Sequence, residues 1–435
     1  MGALHEEESE GDEDGRNAGK SAPETGAIRA LREHLVERGA FINDGIACVE
    51  FISGGFSYRG VRAVRDLAKD ELLVSIPEPL LLSVRSAKRD PDIQRAVRGA
   101  GPFATRIEVT DQQLLAVHLL HEASKGGASS HHIYLKTLPS AFDNFLYLNT
   151  GDVDELGTSH VHAAREAAQS KAQFLESFRG AQPLMRALNM PDKLSSLQAY
   201  RWAVSCIQSR TMFMDGDRVG CLTPYGDLHN HRPMLQPVTL WNIDHADEQE
   251  ESAVAGEGFF DEAQQRYQLV TRVPLSAGQQ VFLTYGRLTN LDLFGLYGFV
   301  LEDNAWDTLI IPRARLPDRI RRHVPQEGSF LHANGCPSFE LMRGFRLGVL
   351  KDKERKRWAH VILDDRGVVE DDCETRAVAA LRTMVGELLD GETHPCEQVE
   401  ERSSPHFRRG TLVWQWMASQ RRILETCLAH LNSMS

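Results

Sequence analysis

Tyr225-Gly226-Asp227-Leu228-His229-Asn230-His231 is the stretch on which the reading of this 435-residue chain turns. Such a polar run carries more donors and acceptors than an ordinary buried turn satisfies, so burial would require a partner for them. Gly278 to Asn290 completes it, followed by Leu296-Tyr297-Gly298-Phe299. Within the first of these, Val281-Phe282-Leu283-Thr284-Tyr285 is a short run rich in β-branched and aromatic residues. That pattern predicts a strand with Tyr285 at its tip. The segments are expected to close around a cofactor.

Bulk properties narrow the class. The length predicts two or three domains, and no apolar run approaches the ~18 residues of a membrane helix. The formal net charge of −12 argues against a dedicated nucleic-acid binder and suits basic protein substrates. Part of that charge lies in Glu6 to Asp14, read as a solvated tail over residues 1–26. That tail lacks the apolar core of a signal peptide and is too acidic for a transit peptide, so cytosol or nucleus is expected. Seven scattered cysteines without a C-x-x-C pair argue against a zinc cluster or a disulfide framework. His229 and His231 lack an evident third ligand, so no metal is expected.

Periodicity then orders the elements. Ile28 to Arg38 reads as an amphipathic helix, and Ile46–Ile52, Val61–Val64 and Leu72–Ile76 as strands. Ser53 to Gly60 reads as a Gly-rich turn that lets backbone N–H groups approach a ligand. From Thr110 the period becomes helical, opened by a Thr110/Gln113 capping box. Helices follow over Val161–Phe178 and from Ser195, with Ser195 and Gln198 suited to a cap. The latter is expected to turn Leu197, Tyr200, Val204 and Ile207 inward. His118 and His121 are read as partly buried polar residues without chemistry. Strands resume at Tyr267–Val273, Val281–Tyr285 and Thr308–Ile311, and helices again beyond Pro312. The final helix carries Trp414, Met417, Leu424, Leu428 and Leu431 at heptad-like spacing, read as a core-facing stripe of a monomer rather than a dimer seam.

Six blocks in order resemble those of SET-domain protein methyltransferases, in the branch that includes Rubisco large-subunit methyltransferase and the actin-histidine methyltransferase. They are Arg59 to Asp66 with Glu71; Tyr134 to Pro139; Tyr200 to Ala203 through Ser209-Arg210; Asp227 to His231; Tyr285-Gly with Asn290; and Tyr297-Gly-Phe299. The resemblance implies an α+β chain: a β-rich catalytic domain over 27–312 with a helical insertion at about 106–215. A helical substrate-binding domain over 313–435 would follow. It also implies S-adenosylmethionine (AdoMet) as methyl donor and a protein as substrate. By that resemblance Tyr58, Arg59, Gly60, Arg210, Asp227, Asn230, His231, Tyr297 and Phe299 hold the cofactor. Arg210 is expected to meet its carboxylate, and Tyr285 to be the active-site tyrosine. Tyr58 departs from the family pattern, because a glycine usually stands there.

Methyl transfer from a sulfonium needs alignment and a neutral nitrogen. A lysine amine therefore has to lose its proton in a desolvated, tyrosine-lined channel. Lysine and histidine remain the competing acceptors, beside a non-catalytic protein-binding scaffold. The histidine branch, by resemblance, carries Trp before the Asp and Asn two residues after the Arg. Here those positions hold Gly226 and Met212, expected to line the substrate channel with Tyr297. Neither can hold an imidazole by a strong side-chain hydrogen bond, so lysine is favoured. The Tyr134 and Tyr200 blocks read closest to the histidine branch.

Overall fold

The computed structural model describes residues 24–53, 56–98, 106–233, 256–363, 371–391 and 405–433. The acidic run at Glu6 to Asp14, Gly54, Gly55, Cys396 and most of the acidic stretch after His231 lie outside them.

Helix α1 (Gly26–Glu37) buries Ile28, Leu31 and Leu35, the 3–4 spacing that marks one helical face. Strands β1 (Phe41–Ile42), β2 (Ile46–Ser53), β3 (Phe56–Ala63), β4 (Leu72–Pro77) and β5 (Leu82–Ser83) follow. The hairpin β2–β3 is in register from Ile46↔Ala63 to Ser53↔Phe56. Tyr58, Arg59 and Gly60 are therefore ladder residues of β3, which corrects the expectation of a long Gly-rich turn. The β-branched and aromatic residues on both sides extend the pairing almost to Gly54.

A helical block comes next: α2 (Val84–Arg89), α3 (Pro91–Arg98), α4 (Asp111–Ser124), α5 (His132–Leu135), α6 (Thr150–Ser159), α7 (Val161–Ala187) and α8 (Leu197–Arg210). The Thr110/Gln113 capping box opens α4. His118 and His121 on α4 are buried. Ser196, not Ser195, caps α8 by accepting the Ala199 N–H. Leu197 is exposed in the first turn, because α8 meets the core only from Tyr200 onward, where Tyr200, Val204 and Ile207 are buried.

Strands β6 (Thr211–Met214) and β7 (Asp217–Leu222) form a hairpin, and β5 pairs with β7 to make a three-stranded sheet. The larger sheet takes in β8 (Asn230–His231), β9 (Gly256–Asp261), β10 (Arg266–Thr271) and β11 (Gln280–Leu283), in the order β1-β4-β10-β9-β11-β3-β2. β8 pairs in parallel with β11. β11 ends at Leu283, so Tyr285, expected at the strand tip, stands two residues past it.

Helix α9 (Asn290–Asp292) runs into a π-type turn, Leu293–Tyr297, that ends at Gly298 with φ +78°. A Cβ there would lie 2.9 Å from the Asp143 backbone, so only glycine fits. Beyond it come β12 (Thr308–Ile310), α10 (Asp318–Arg321), β13 (Phe330–His332), α11 (Phe339–Val349), α12 (Asp352–Leu363), α13 (Asp371–Gly391) and α14 (Pro405–Ser433). Among the described residues, the helical run past Pro312 is interrupted by β13, which pairs with β12.

One core runs from Ile28 to Leu283 and unites the sheets with α4 and α8. A second joins Leu309, Ile311 and Ile320 to Phe345, Leu381, Leu424 and Leu431. A third packs Phe145, Leu156 and Phe294 against Val413, Trp416 and Met417 of α14. The α14 stripe therefore faces two cores of its own chain.

Candidate active site

Tyr225 begins the site under strain. Its φ of +67° is left-handed, a region unfavourable to bulky L residues. Three contacts hold it there. Its hydroxyl donates to Glu24 Oε1 at 2.6 Å, accepts from Arg32, and its ring lies 4.8 Å beneath the Arg32 guanidinium. The kink turns Gly226-Asp227-Leu228 into a short 3₁₀ turn, which delivers Asn230 and His231 to the edge of β11.

Each sequence block is bonded to another. Asp227, its side chain buried, accepts from Tyr134 Oη at 3.0 Å. The Arg210 guanidinium, at the end of α8, donates to Asp227 Oδ2 at 3.1 Å and to its carbonyl at 2.9 Å. Burial works against the Arg210 charge, but the Asp227 carboxylate, with smaller contributions from Tyr134, Cys206 and Tyr285, offsets it and holds the group above its ordinary pKa. One Arg210 nitrogen serves the Asp227 carboxylate, which when buried needs a counter-charge, while its Nε has no partner. Asn230 Nδ2 donates to the Arg59 carbonyl at 2.9 Å, and Arg59 donates to the Thr137 carbonyl at 3.0 Å. Trp202 Nε1 donates to the Pro139 carbonyl at 2.8 Å.

The aromatic groups form a ladder. His231 stacks on Tyr285 (4.9 Å, 21°) and Tyr285 on Tyr297 (4.9 Å, 22°). Tyr297 meets Phe299 edge-on at 6.0 Å. The Tyr285 hydroxyl donates to the His229 carbonyl at 2.7 Å, and its N–H donates to His231 Nδ1 at 3.0 Å. With Nδ1 accepting, a neutral His231 carries its proton on Nε2. Burial favours that neutral form, lowering the pKa to about 4. Burial likewise lowers His229 to about 4, and its Nδ1 donates to the Gly226 carbonyl. Burial raises Tyr297 to about 12 and pushes Tyr285 well above the usual phenol range, so both phenols stay protonated at neutral pH.

Several buried polar atoms here have no partner: Arg210 Nε, Asp227 Oδ1, His231 Nε2 and Gln280 Nε2. Gly60 adds a close approach, since a Cβ would sit 2.4 Å from Gln280 Nε2 and 2.6 Å from Asn230 Nδ2. Unsatisfied donors and an acceptor beside a backbone that tolerates no side chain suit a polar, zwitterionic ligand.

Not every expected residue lies there. Tyr58 is half-exposed and stacks on Phe51 across the hairpin at 5.7 Å. Gly226 is tightly surrounded: a Cβ would meet Thr223 Cγ2 at 2.9 Å and Leu269 at 3.3 Å, so a larger side chain has no room there unless they move. Met212 on β6 packs on the main core from a partly buried position. Sequence reasoning also missed residues. His229, absent from the expected cofactor set, accepts the Tyr285 hydroxyl on its backbone carbonyl. Gln280 and Asp307 carried no motif, although the Asx-rich Asn304 to Asp307 stretch was a usable signal for Asp307. Buried Asp307 accepts from the Asn290 N–H at 3.0 Å and Nδ2 at 2.9 Å, from Ser419 Oγ at 3.1 Å and from Gln420 Nε2 at 3.2 Å.

No protein-family model matches the chain. Protein SET DOMAIN GROUP 40 of Arabidopsis thaliana is 31% identical over 308 residues, covering 69% of this chain and 61% of that protein. The ribosomal lysine N-methyltransferase of Schizosaccharomyces pombe is 28% identical over 337 residues, covering 76% and 54%. The actin-histidine N-methyltransferase of Xenopus tropicalis is 28% identical over 357 residues, covering 77% and 55%. The chain thus spans little more than half the length of these relatives. Rubisco LSMT bound to AdoMet superposes with a TM-score of 0.60 at 18% identity, over 94% of this chain and 92% of that one. The SET domain of LSMT bound to lysine and AdoHcy gives 0.61 at 16%, over 94% and 91%. The sheet pair, the helical block and the kinked Asp-x-x-Asn-His turn therefore define a SET-domain protein. The chain belongs to the SET-domain family; it is similar in sequence to actin-histidine N-methyltransferase and in fold to Rubisco LSMT.

Proposed function

We propose that this protein is an AdoMet-dependent protein-lysine N-methyltransferase. The observation that carries the reading is the Tyr285 hydroxyl, fixed on the His229 carbonyl inside a stacked aromatic ladder. AdoMet would be held by Asn230, His231, Arg210 and the Arg59–Gly60 backbone, and supplies a sulfonium methyl when bound.

The chain's own residues set up the acceptor. Tyr285 gives its proton to the His229 carbonyl, so its oxygen presents lone pairs to the channel. Those lone pairs accept an N–H from a neutral amine and leave the nitrogen lone pair free to point at the methyl. As a protonated phenol, Tyr285 orients and does not act as a base. The apolar walls of Tyr285, Tyr297 and Phe299 favour the uncharged amine. Residues 313–435 would present the protein substrate.

The lysine reading rests on Gly226 and Met212. The Trp of the histidine branch has no room at Gly226 unless Thr223 and Leu269 move, and Met212 offers no hydrogen bond to an imidazole. Similarity to actin-histidine N-methyltransferases keeps histidine as the second reading.

Incubation with methyl-labelled AdoMet and a cell extract, followed by mass spectrometry, tests this. Methyl-lysine is expected. Methylation confined to histidine would move the protein to the second reading. AdoMet binding without any transfer would point to a scaffold.

A further inference from the structure

The charge of the chain is unevenly placed. Residues 313–357 contain twelve Lys and Arg against five Asp and Glu, an excess of seven positive charges in a chain of net −12. The excess is superficial. Arg315, Arg319, Arg322, Lys353, Arg355 and Lys356 are exposed and have no ion-pair partner among the described residues.

The cations gather on one face because α10 lies directly against α11. A Cβ at Gly344 would meet Val324 and Ile320, and one at Gly348 would meet Ile320 and the Arg319 carbonyl. Only Leu350 and Lys351 separate α11 from α12. Burial together with Arg355 of α12 and Arg322, the residue that follows α10, holds His323 below its ordinary pKa. Arg313 closes the group by donating to the Arg321 carbonyl at 2.8 Å.

We propose that this α10–α12 face docks an acidic surface of the protein that is methylated, a class of substrate opposite to the one the net charge suggests. The inference rests on the reading of residues 313–435 as the substrate-presenting region. Charge complementarity identifies the partner: like-charged guanidinium and ammonium groups left unpaired gain most from carboxylates. A protein fits better than a nucleic acid. Asp318, Glu327 and Asp352 are exposed among the cations and would repel a continuous phosphate backbone, and the rest of the chain is strongly acidic.

The test uses the full chain and labelled poly-L-glutamate, read by fluorescence anisotropy at about 50 and about 300 mM salt, across which screening shortens strongly. Wild-type binding should weaken at least about tenfold with salt. The triple variant Arg319→Glu, Arg322→Glu, Lys356→Glu should lose binding by a similar factor, with a matching loss of label transfer to extract proteins. AdoMet calorimetry on both proteins separates the two readings: failure there overturns the cofactor assignment, not the docking face. Unchanged polyglutamate binding by the triple variant overturns the proposal. So does wild-type binding of oligouridylate as tight as that of polyglutamate. The neutral triple Arg319→Gln, Arg322→Gln, Lys356→Gln must also weaken binding; if it binds like wild type, the reversal acted by repulsion and the face is not the dock.

Discussion

At the scale of single residues, the site works through groups whose hydrogen atoms are already committed. Tyr285→Phe keeps the ring between His231 and Tyr297 but removes the oxygen that receives the amine. A hydrogen bond of ~0.5–1.5 kcal/mol used mainly in the transition state predicts a fall in kcat of up to about tenfold. AdoMet affinity should barely change, and single-turnover methylation beside calorimetry reads both. A wild-type rate would make Tyr285 structural only. Asn230→Ala removes an amide of the expected cofactor set and would leave a buried polar group of the bound ligand unsatisfied, at a cost of ~1–3 kcal/mol. Calorimetry should show AdoMet binding weakened by that amount in a folded protein. Much of this was legible in the sequence, because Asn230, His231 and Tyr285 are polar groups in otherwise apolar or turn patterns. What could not be read was the pairing. Nothing in the order of residues says that Arg210 meets Asp227, or that a backbone carbonyl at His229 aims a phenol, since both depend on contacts distant in sequence.

Among elements, the hairpin β2–β3 shows how a motif can be recognised while its geometry is misjudged. The glycines at 54, 55 and 60 suggested a loop, yet Gly60 pairs with Val49 inside the ladder. Glycine is required there by what faces it, Asn230 and Gln280, not by the backbone turn. Gly60→Ala should therefore strain the junction between β3 and β8 by ~1–3 kcal/mol, the usual cost of overpacking. A thermal melt should show a drop of several degrees, with AdoMet binding weakened in parallel. An unchanged melt together with unchanged affinity would mean that Gln280 simply rotates away. The helix boundaries were more accessible, because caps act locally. Thr110 with Gln113 announced α4 correctly, whereas two adjacent serines before α8 left the choice of cap to packing.

On the scale of the whole molecule, buried neutral histidines couple stability to acidity. The native state holds His229 and His231 near 4, while an unfolded chain takes up protons below about 6.5. Between those values the unfolded state binds more protons, so stability is full above about pH 6.5 and is lost as the pH falls towards 4. The slope is at most about 1.4 kcal/mol per pH unit for each histidine. Melting temperatures taken from neutral to mildly acidic pH should decline across this window, and His231→Asn should make the decline shallower. A flat profile would contradict the buried neutral assignment.

The junction at Asp307 bears on how such a chain can be recombined. Its carboxylate grips Asn290, which leads into the turn carrying Tyr297, and also Ser419 and Gln420 from the far end of the sequence. Trp416 and Met417 of the same helix complete the core around Phe294. The C-terminal region is therefore not an interchangeable module appended to a finished catalyst. A chimera spliced at Pro312 would inherit the aromatic ladder without the last helix that braces it, and would have to import matching counterparts of Ser419, Gln420 and Trp416 to keep it in place.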